Sequence, residues 1–245
     1  MRDVSGDADL ETIGALLADK TRATIISTLL NGGLTAASAL ADRAGVSRPL
    51  ASNHLKKLTD GGLIVAEPRG RQRLYRLRSQ SVAEALEALI QLAPPRATST
   101  LGEAAEGAGL RRGRLCYDHL AGRLGVALAD GLCEAGLLSF EGNERFSVTS
   151  AGIDAFADIG IDIDELSTAT RPLTRVCADW SEQSRHLAGS LGGALTTELL
   201  RRGWVLGREA SRVVDVSPEG LEELTERFGV DPEALSSSRG DQAAA

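Results

Sequence analysis

Four side chains in the C-terminal half combine two chemistries at a repeated spacing: the thiols of Cys116 and Cys177 and the imidazoles of His119 and His186. Thiolate sulfur and imidazole nitrogen are the ligands preferred by zinc and similar soft-to-borderline cations. An acid stands beside each thiol, in Cys116-Tyr117-Asp118 and Cys177-Ala178-Asp179, so each half offers a thiol, a carboxylate and an imidazole. On a helix, the three-residue step from Cys116 to His119 puts both on one face. Two other readings stand beside a metal site. One is a small-molecule or thiol-sensing pocket around the same residues. The other is packing, since a free cysteine behaves as a small buried hydrophobe. A Cys–His pair also makes a nucleophile and base. Here it comes without an oxyanion-hole loop, a phosphate-binding glycine loop or a cofactor fingerprint, so no catalytic residue is assigned. A zinc-like ion is the one cofactor these residues suggest. Cys133 has no cysteine counterpart and reads as packing.

A second set lies in GVSRPLASNHLKKLTDGGLI, residues 45–64. Ser47, Arg48, Ser52, Asn53, His54, Lys56 and Lys57 crowd a short helix with the guanidinium, hydroxyl, amide and ammonium groups that suit base edges and phosphates. Arg69, Arg71 and Arg73 follow in PRGRQR. The chain as a whole carries −7, which argues against nucleic acid, but residues 43–78 hold nine Arg and Lys against two acids. That local +7 leaves −14 on the remainder, a basic island in an acidic protein.

The elements that position these groups follow from periodicity and stop signals. Leu10, Ile13, Leu16 and Leu17 predict a first helix, residues 23–30 a second ended by Asn31-Gly32-Gly33, and residues 36–43 a third capped by Thr35. Gly45 turns the chain, and Ser47 caps a helix over 48–59 whose Leu50, Leu55 and Leu58 face the core. Two strands, 63–66 and 74–77, flank Pro68-Arg69-Gly70-Arg71, and a fifth helix covers 82–92. The second, third and fourth helices, the hairpin and a closing fifth helix make a winged helix-turn-helix, with the basic hairpin tip as the wing.

With the order of elements in place, the segments ALLADKTRATIISTLL and ALADRAGVSRPLASNHLKKLTDGGLIVAEPRGRQRLYRL resemble the ArsR/SmtB winged-helix regulators over about residues 10–92. The resemblance implies a homodimer on an operator palindrome, usually a repressor released by its ligand, with the first and fifth helices at the dimer contact. It departs from the family's metal sensors. The third helix has no cysteine and the fifth has no histidine, so the signal is expected elsewhere.

Beyond residue 100 the chain repeats itself. HLAGRLGVAL from His119 and HLAGSLGGAL from His186 agree at eight of ten positions at an offset of 67. Each copy precedes a predicted hairpin (138–148 and 205–216) and a helix start capped by Thr149 or Ser217. The expected C-terminal fold is two helix–hairpin–helix, winged-helix-like halves packed about a pseudo-twofold axis, because neither half alone is long enough to bury its own core. The six extra residues between Cys177 and His186 are expected to break that symmetry locally.

The chain is thus expected to be mainly α with small β-hairpin wings. Residues 1–93 form the DNA-binding and dimerisation domain, 94–110 a linker rich in Pro, Ser and Thr, 111–235 an effector-sensing domain and 236–245 a disordered tail. Aromatic residues are 3% of a 42% hydrophobic composition, so aliphatic side chains must fill the cores. Three cysteines, an odd number, argue against a disulfide framework. With no signal-peptide pattern and no apolar run of about 20 residues, a soluble cytoplasmic protein is expected. The function expected is a DNA-binding regulator, a repressor modulated by a metal or small-molecule effector. A DNA-binding architectural or scaffold protein and a Cys/His enzyme are the alternatives. A discrete footprint would mark the first, sequence-blind binding the second, and turnover lost with Cys116 the third.

Overall fold

The computed structural model describes residues 8–70, 72–94, 99–141 and 145–236. Arg71, residues 95–98 of the expected linker and residues 237–245 of the expected tail lie outside the described residues. The chain divides into two compact units, Met1–Leu86 and Glu87–Ala245.

In the first unit, α1 (Leu10–Leu17) and α2 (Lys20–Leu29) are joined by Ala18 and Asp19. Asp19 caps α2 by accepting from the Arg22 backbone N–H at 2.9 Å, and the Arg22 guanidinium donates back to Leu16 O at 2.7 Å and Ala15 O at 2.6 Å. Groups left unpaired at two helix ends are thereby satisfied by two side chains. The chain continues as β1 (Thr35–Ala36), α3 (Ala37–Ala44), α4 (Arg48–Asp60), β2 (Ile64–Arg69), β3 (Gln72–Leu77) and α5 (Gln80–Leu92). Gly45, at φ 65°, closes α3 in the left-handed conformation and turns the chain into α4. β2 and β3 pair antiparallel from Ile64↔Leu77 to Arg69↔Gln72, and β1 adds to the far side of β3 through Thr35↔Tyr75. Ile25, Leu29, Leu40, Leu55, Leu58 and Leu77 are fully buried. This is a winged helix-turn-helix.

Three local expectations need correction. Thr35 does not cap α3, because strand pairing with Tyr75 claims it; the N-cap is Ala36, with no side-chain bond. Ser47 stands at the N-cap of α4 but makes no capping hydrogen bond. Leu50 is 44% exposed rather than core-facing. The buried stripe of α4 is Ala51, Leu55 and Leu58, spaced i, i+4, i+7, and Leu50 lies one step of about 100° off it.

The boundary between units falls inside α5, not at residue 93. Glu87 belongs to the second unit, where its carboxylate meets Arg212 at 3.1 Å with both side chains buried. The expected linker over 94–110 is also corrected: residues from Leu101 onward form α6 (Leu101–Arg112), capped by Thr100, which accepts from Glu103 N at 3.1 Å. Its glycines depress helix propensity and hid it. One of them, Gly109, lets the helix lie against Val213, whose Cγ1 would be 2.9 Å from an added Cβ.

Two matching runs follow. The first is β4 (Arg114–Cys116), β5 (His119–Ala121), α7 (Gly122–Glu134), β6 (Leu138–Glu141), β7 (Arg145–Val148), α8 (Ser150–Asp158) and α9 (Ile163–Ser167). The second is β8 (Arg175–Asp179), β9 (Ser184–Ala188), α10 (Gly189–Arg201), β10 (Val205–Gly207), β11 (Val214–Val216), α11 (Pro218–Phe228) and α12 (Pro232–Ser236). Each run opens with a hairpin that the helix–hairpin–helix expectation lacked. His119 begins the short strand β5 and His186 lies inside β9, neither in a helix, and the helix starts only at the glycine of HLAG. Gly122 and Gly189 have φ +73° and +93°, and an added Cβ would lie 2.7 Å from Arg111 O and 2.6 Å from Leu173 O. Only glycine allows this strand-to-helix corner. Thr149 and Ser217 cap α8 and α11. Residues of both runs, including Leu124, Leu128, Phe146 and Phe156 from one and Leu191, Leu195, Trp204 and Phe228 from the other, share one continuous core.

Candidate functional site

In the winged unit, the buried stripe of α4 leaves its polar side in solvent. Ser47, Arg48, Ser52, Asn53, Lys56 and Lys57 are all exposed, as is Leu50 beside them. Lys56 holds Asp60 one turn on at 2.6 Å; both are exposed, so the pair contributes little and yields readily to a phosphate. His54 is corrected. Its side chain is 12% exposed and its Nδ1 lies 3.5 Å from Asp19, the cap of α2, so it packs inside the unit instead of facing outward. On the wing, Arg69 and Arg73 are exposed near the end of the β2–β3 ladder, where Pro68 opposes Arg73. Arg71 lies outside the described residues. Arg76 is held by Glu67 at 2.5 Å, which neutralises one base of the basic island.

In the second unit, Cys116, His119, Cys177 and His186 come together, one ligand atom from each lying within 4.8 Å of all the others. The route differs from the helical spacing expected. Cys116 pairs with His119 across the β4–β5 hairpin, and Cys177 pairs with His186 across β8–β9. The six extra residues do not break the correspondence. They lengthen the second hairpin by the pairs Ala178↔Arg185 and Asp179↔Ser184 and widen its loop, so Cys177 and His186 stay in register. The sulfurs are 3.9 Å apart and the imidazole centroids 5.1 Å. Cys116 is 3% exposed, His119 6% and His186 0%. The close approach is reciprocal: an added Cβ on Gly125 of α7 would lie 3.5 Å from His186 Cβ, and one on Gly192 of α10 would lie 3.4 Å from His119 Cβ. Cys133 stands apart, half-buried against the shared core, as packing requires.

The two carboxylates have a role that residue types alone did not reveal. Asp118 Oδ1 is 3.1 Å from His119 Nδ1, and Asp179 Oδ2 is 3.2 Å from His186 Nδ1. Each acid is in turn countered by an arginine. Arg171 makes a two-pronged contact with Asp118, and the fully buried Arg114 donates to Asp179 Oδ2 at 3.0 Å while lying over the Trp180 ring. Asp179 also accepts from Gly122 N at 2.7 Å, from Ser181 N and Oγ, and from Glu182 N. Both Nε2 atoms are buried without a hydrogen-bond partner.

Electrostatics follow this geometry. The hydrogen bond between the sulfurs, with burial, pushes the Cys116 thiol up to about 12. The same bond lowers the Cys177 pKa against its burial. Burial disfavours both imidazolium ions, but Asp118 and Cys116 outweigh it at His119, and Asp179 and Cys116 at His186, so both pKa values are raised. Burial alone would raise the Asp118 pKa; His119 and Arg171 reverse this and hold it at about 2. At Asp179, His186 and Arg114 overcome burial in the same way, well below the usual carboxylate range.

Comparison with known proteins bears on the first unit and, for one relative, on most of the chain. Residues 17–66 match the family described as a helix-turn-helix domain. The HTH-type transcriptional regulator YdfF of Bacillus subtilis (strain 168), itself uncharacterised, is 36% identical over 212 residues, covering 86% of this chain and 93% of that protein. The HTH-type transcriptional regulator CmtR of Mycobacterium tuberculosis is 40% identical over 86 residues, 35% of this chain and 72% of that one. The solution structure of that cadmium sensor covers 37% of this chain and 93% of its own at 38% identity, with a TM-score of 0.31. Among the described residues, no helix is long and apolar enough to cross a membrane. With its winged helix-turn-helix and a relative matched over nearly its whole length, the chain belongs to the ArsR/SmtB family of helix-turn-helix transcriptional regulators, and carries a long C-terminal extension.

Proposed function

We propose that this DNA-binding regulator acts as a homodimeric repressor on a palindromic operator and is modulated by an effector taken up in its C-terminal unit. The observation that carries the DNA reading is the exposed face of α4, where Arg48, Ser52, Asn53, Lys56 and Lys57 stand opposite the buried stripe of Ala51, Leu55 and Leu58. A helix of this kind fits the major groove, with the arginine fork suited to guanine and the asparagine amide to adenine. Leu50 adds an apolar contact of the type made with thymine methyl groups. Arg69 and Arg73 on the wing are placed to reach phosphates.

Exposed leucines support the dimer: Leu10 on α1 is 78% exposed, and Leu89 and Leu92 on α5 are 48% and 83% exposed. A twofold protein reads a twofold site. The effector is assigned to the C-terminal unit because α3 has no cysteine and α5 no histidine, while four such residues gather in the extension. The same element order, the repeated HLAG and the reciprocal glycines support two duplicated halves about a pseudo-twofold axis.

The test is footprinting of the full-length protein on DNA upstream of its own gene, with a reporter on the same segment. A short symmetric protected site and a reporter that rises when the gene is deleted are expected. Uniform, sequence-blind coverage would instead identify an architectural protein.

A further inference from the structure

We propose that Cys116, His119, Cys177 and His186 bind a single zinc-class divalent cation in a four-coordinate site, through both sulfurs and both Nε2 atoms. The site stands on its own geometry; only its service as the regulator's signal rests on the function proposed above. Tetrahedral zinc with Zn–S of about 2.3 Å sets two sulfurs about 3.8 Å apart. Here they are 3.9 Å apart, and one ligand atom of each of the four residues lies within 4.8 Å of the others.

Three further observations point to an ion. Both Nε2 atoms are buried and lack a hydrogen-bond partner, an arrangement that a protein core otherwise avoids. Each Nδ1 lies against a carboxylate, that of His119 hydrogen-bonded to Asp118 and that of His186 3.2 Å from Asp179 as an ion pair, the kind of outer contact that orients an imidazole toward a metal. The charges also balance. Two thiolates neutralise a divalent ion, and Arg171 and Arg114 already neutralise the two acids, so the filled site buries no net charge.

Soft thiolates and imidazoles select zinc, cadmium or cobalt over magnesium or calcium. Because each hairpin supplies one Cys–His pair, the ion would cross-link the two halves of the extension. Binding releases the thiol protons to solvent and leaves the oxidation state unchanged.

Full-length protein, reduced and stripped with chelator, is titrated with Co²⁺ and then Zn²⁺. One Co²⁺ per chain is expected, with the intense absorption of tetrahedral cobalt and a sulfur-to-cobalt charge-transfer band that Zn²⁺ abolishes. Cys116→Ser and Cys177→Ser should each weaken that band, and Cys133→Ser should leave it intact. Asp118→Asn should weaken binding about 10–100-fold while keeping the spectrum. In the unmodified protein, Zn²⁺ should shield two of three thiols from an aromatic disulfide reagent, a readout independent of whether any variant folds. Absence of the charge-transfer band, or equal reactivity of all three thiols with and without Zn²⁺, overturns the proposal. So do two thiols that react only after added reductant, since they would be a disulfide. A footprint without metal binding refutes the site alone, and metal binding without a footprint refutes the regulator alone.

Discussion

Arg48, Asn53 and the wing arginines are all exposed and polar, yet they should respond differently to substitution because base edges and phosphates make different demands. Arg48 stands at the first position of α4 and Asn53 one and a half turns on, both clear of the buried stripe. If each pairs with a base, Arg48→Ala or Asn53→Ala costs about 1–3 kcal/mol and relaxes preference at one operator position, leaving the others unchanged. Binding to a panel of single-base operator variants checks this, and full affinity and selectivity in both variants would remove α4 from the groove. Arg69 and Arg73 offer charge to a repeating backbone. Arg69→Ala and Arg73→Ala should weaken binding to all sequences alike and flatten the slope of log affinity against log salt by about one each. An unchanged slope in the double variant would show that the wing does not touch DNA. His54 belongs to neither group: its place beside Asp19 makes it part of the joint that also holds Arg22.

At the scale of elements, the repeated stretch HLAG-x-LG is a joint as much as a site. Its histidine faces the cluster, its first glycine turns strand into helix, and its second lets that helix approach the hairpin. An added Cβ on Gly125 would lie 2.4 Å from Leu120 O, and one on Gly192 would lie 2.7 Å from Leu187 O. Gly192→Ala is therefore expected to destabilise the second unit by about 1–3 kcal/mol, through overpacking against backbone that cannot swing aside. Chemical denaturation checks it; a loss below about 0.5 kcal/mol would mean that the hairpin yields. The winged unit was legible because its stop signals are local: Asn31-Gly32-Gly33, Gly45 and Gly61-Gly62 bound helices whose apolar spacing is regular. The opening hairpins of the extension were not legible. Each strand is only three to five residues long, too short for a period, and continuous with a helix of strong apolar pattern. The four ligand candidates were visible as residue types and as a repeat. Their convergence was not, since it depends on hairpin register, and neither was the pairing of Asp118 and Asp179 with the two imidazoles.

For the whole molecule, charge and linkage set the remaining expectation. A chain of −7 that concentrates its bases in residues 43–78 should bind DNA through one region and repel it elsewhere, so affinity depends steeply on salt. A ligand in the extension can change that affinity only by binding the DNA-competent and DNA-incompetent states unequally. Coupling of this sort is typically about 1–3 kcal/mol, or 5–150-fold, and it must be reciprocal. If Zn²⁺ releases the repressor, it should lower operator affinity by some factor in that range, and saturating operator DNA should lower Zn²⁺ affinity by the same factor. The first factor is measured by fluorescence anisotropy of labelled operator with Zn²⁺ or chelator present. The second is measured by competition with a chromophoric chelator, with and without unlabelled operator. Equal factors well above one identify the cluster as the sensor. Two factors of one, with metal still bound, make the ion a brace between the β4–β5 and β8–β9 hairpins and remove the cluster from the regulatory signal.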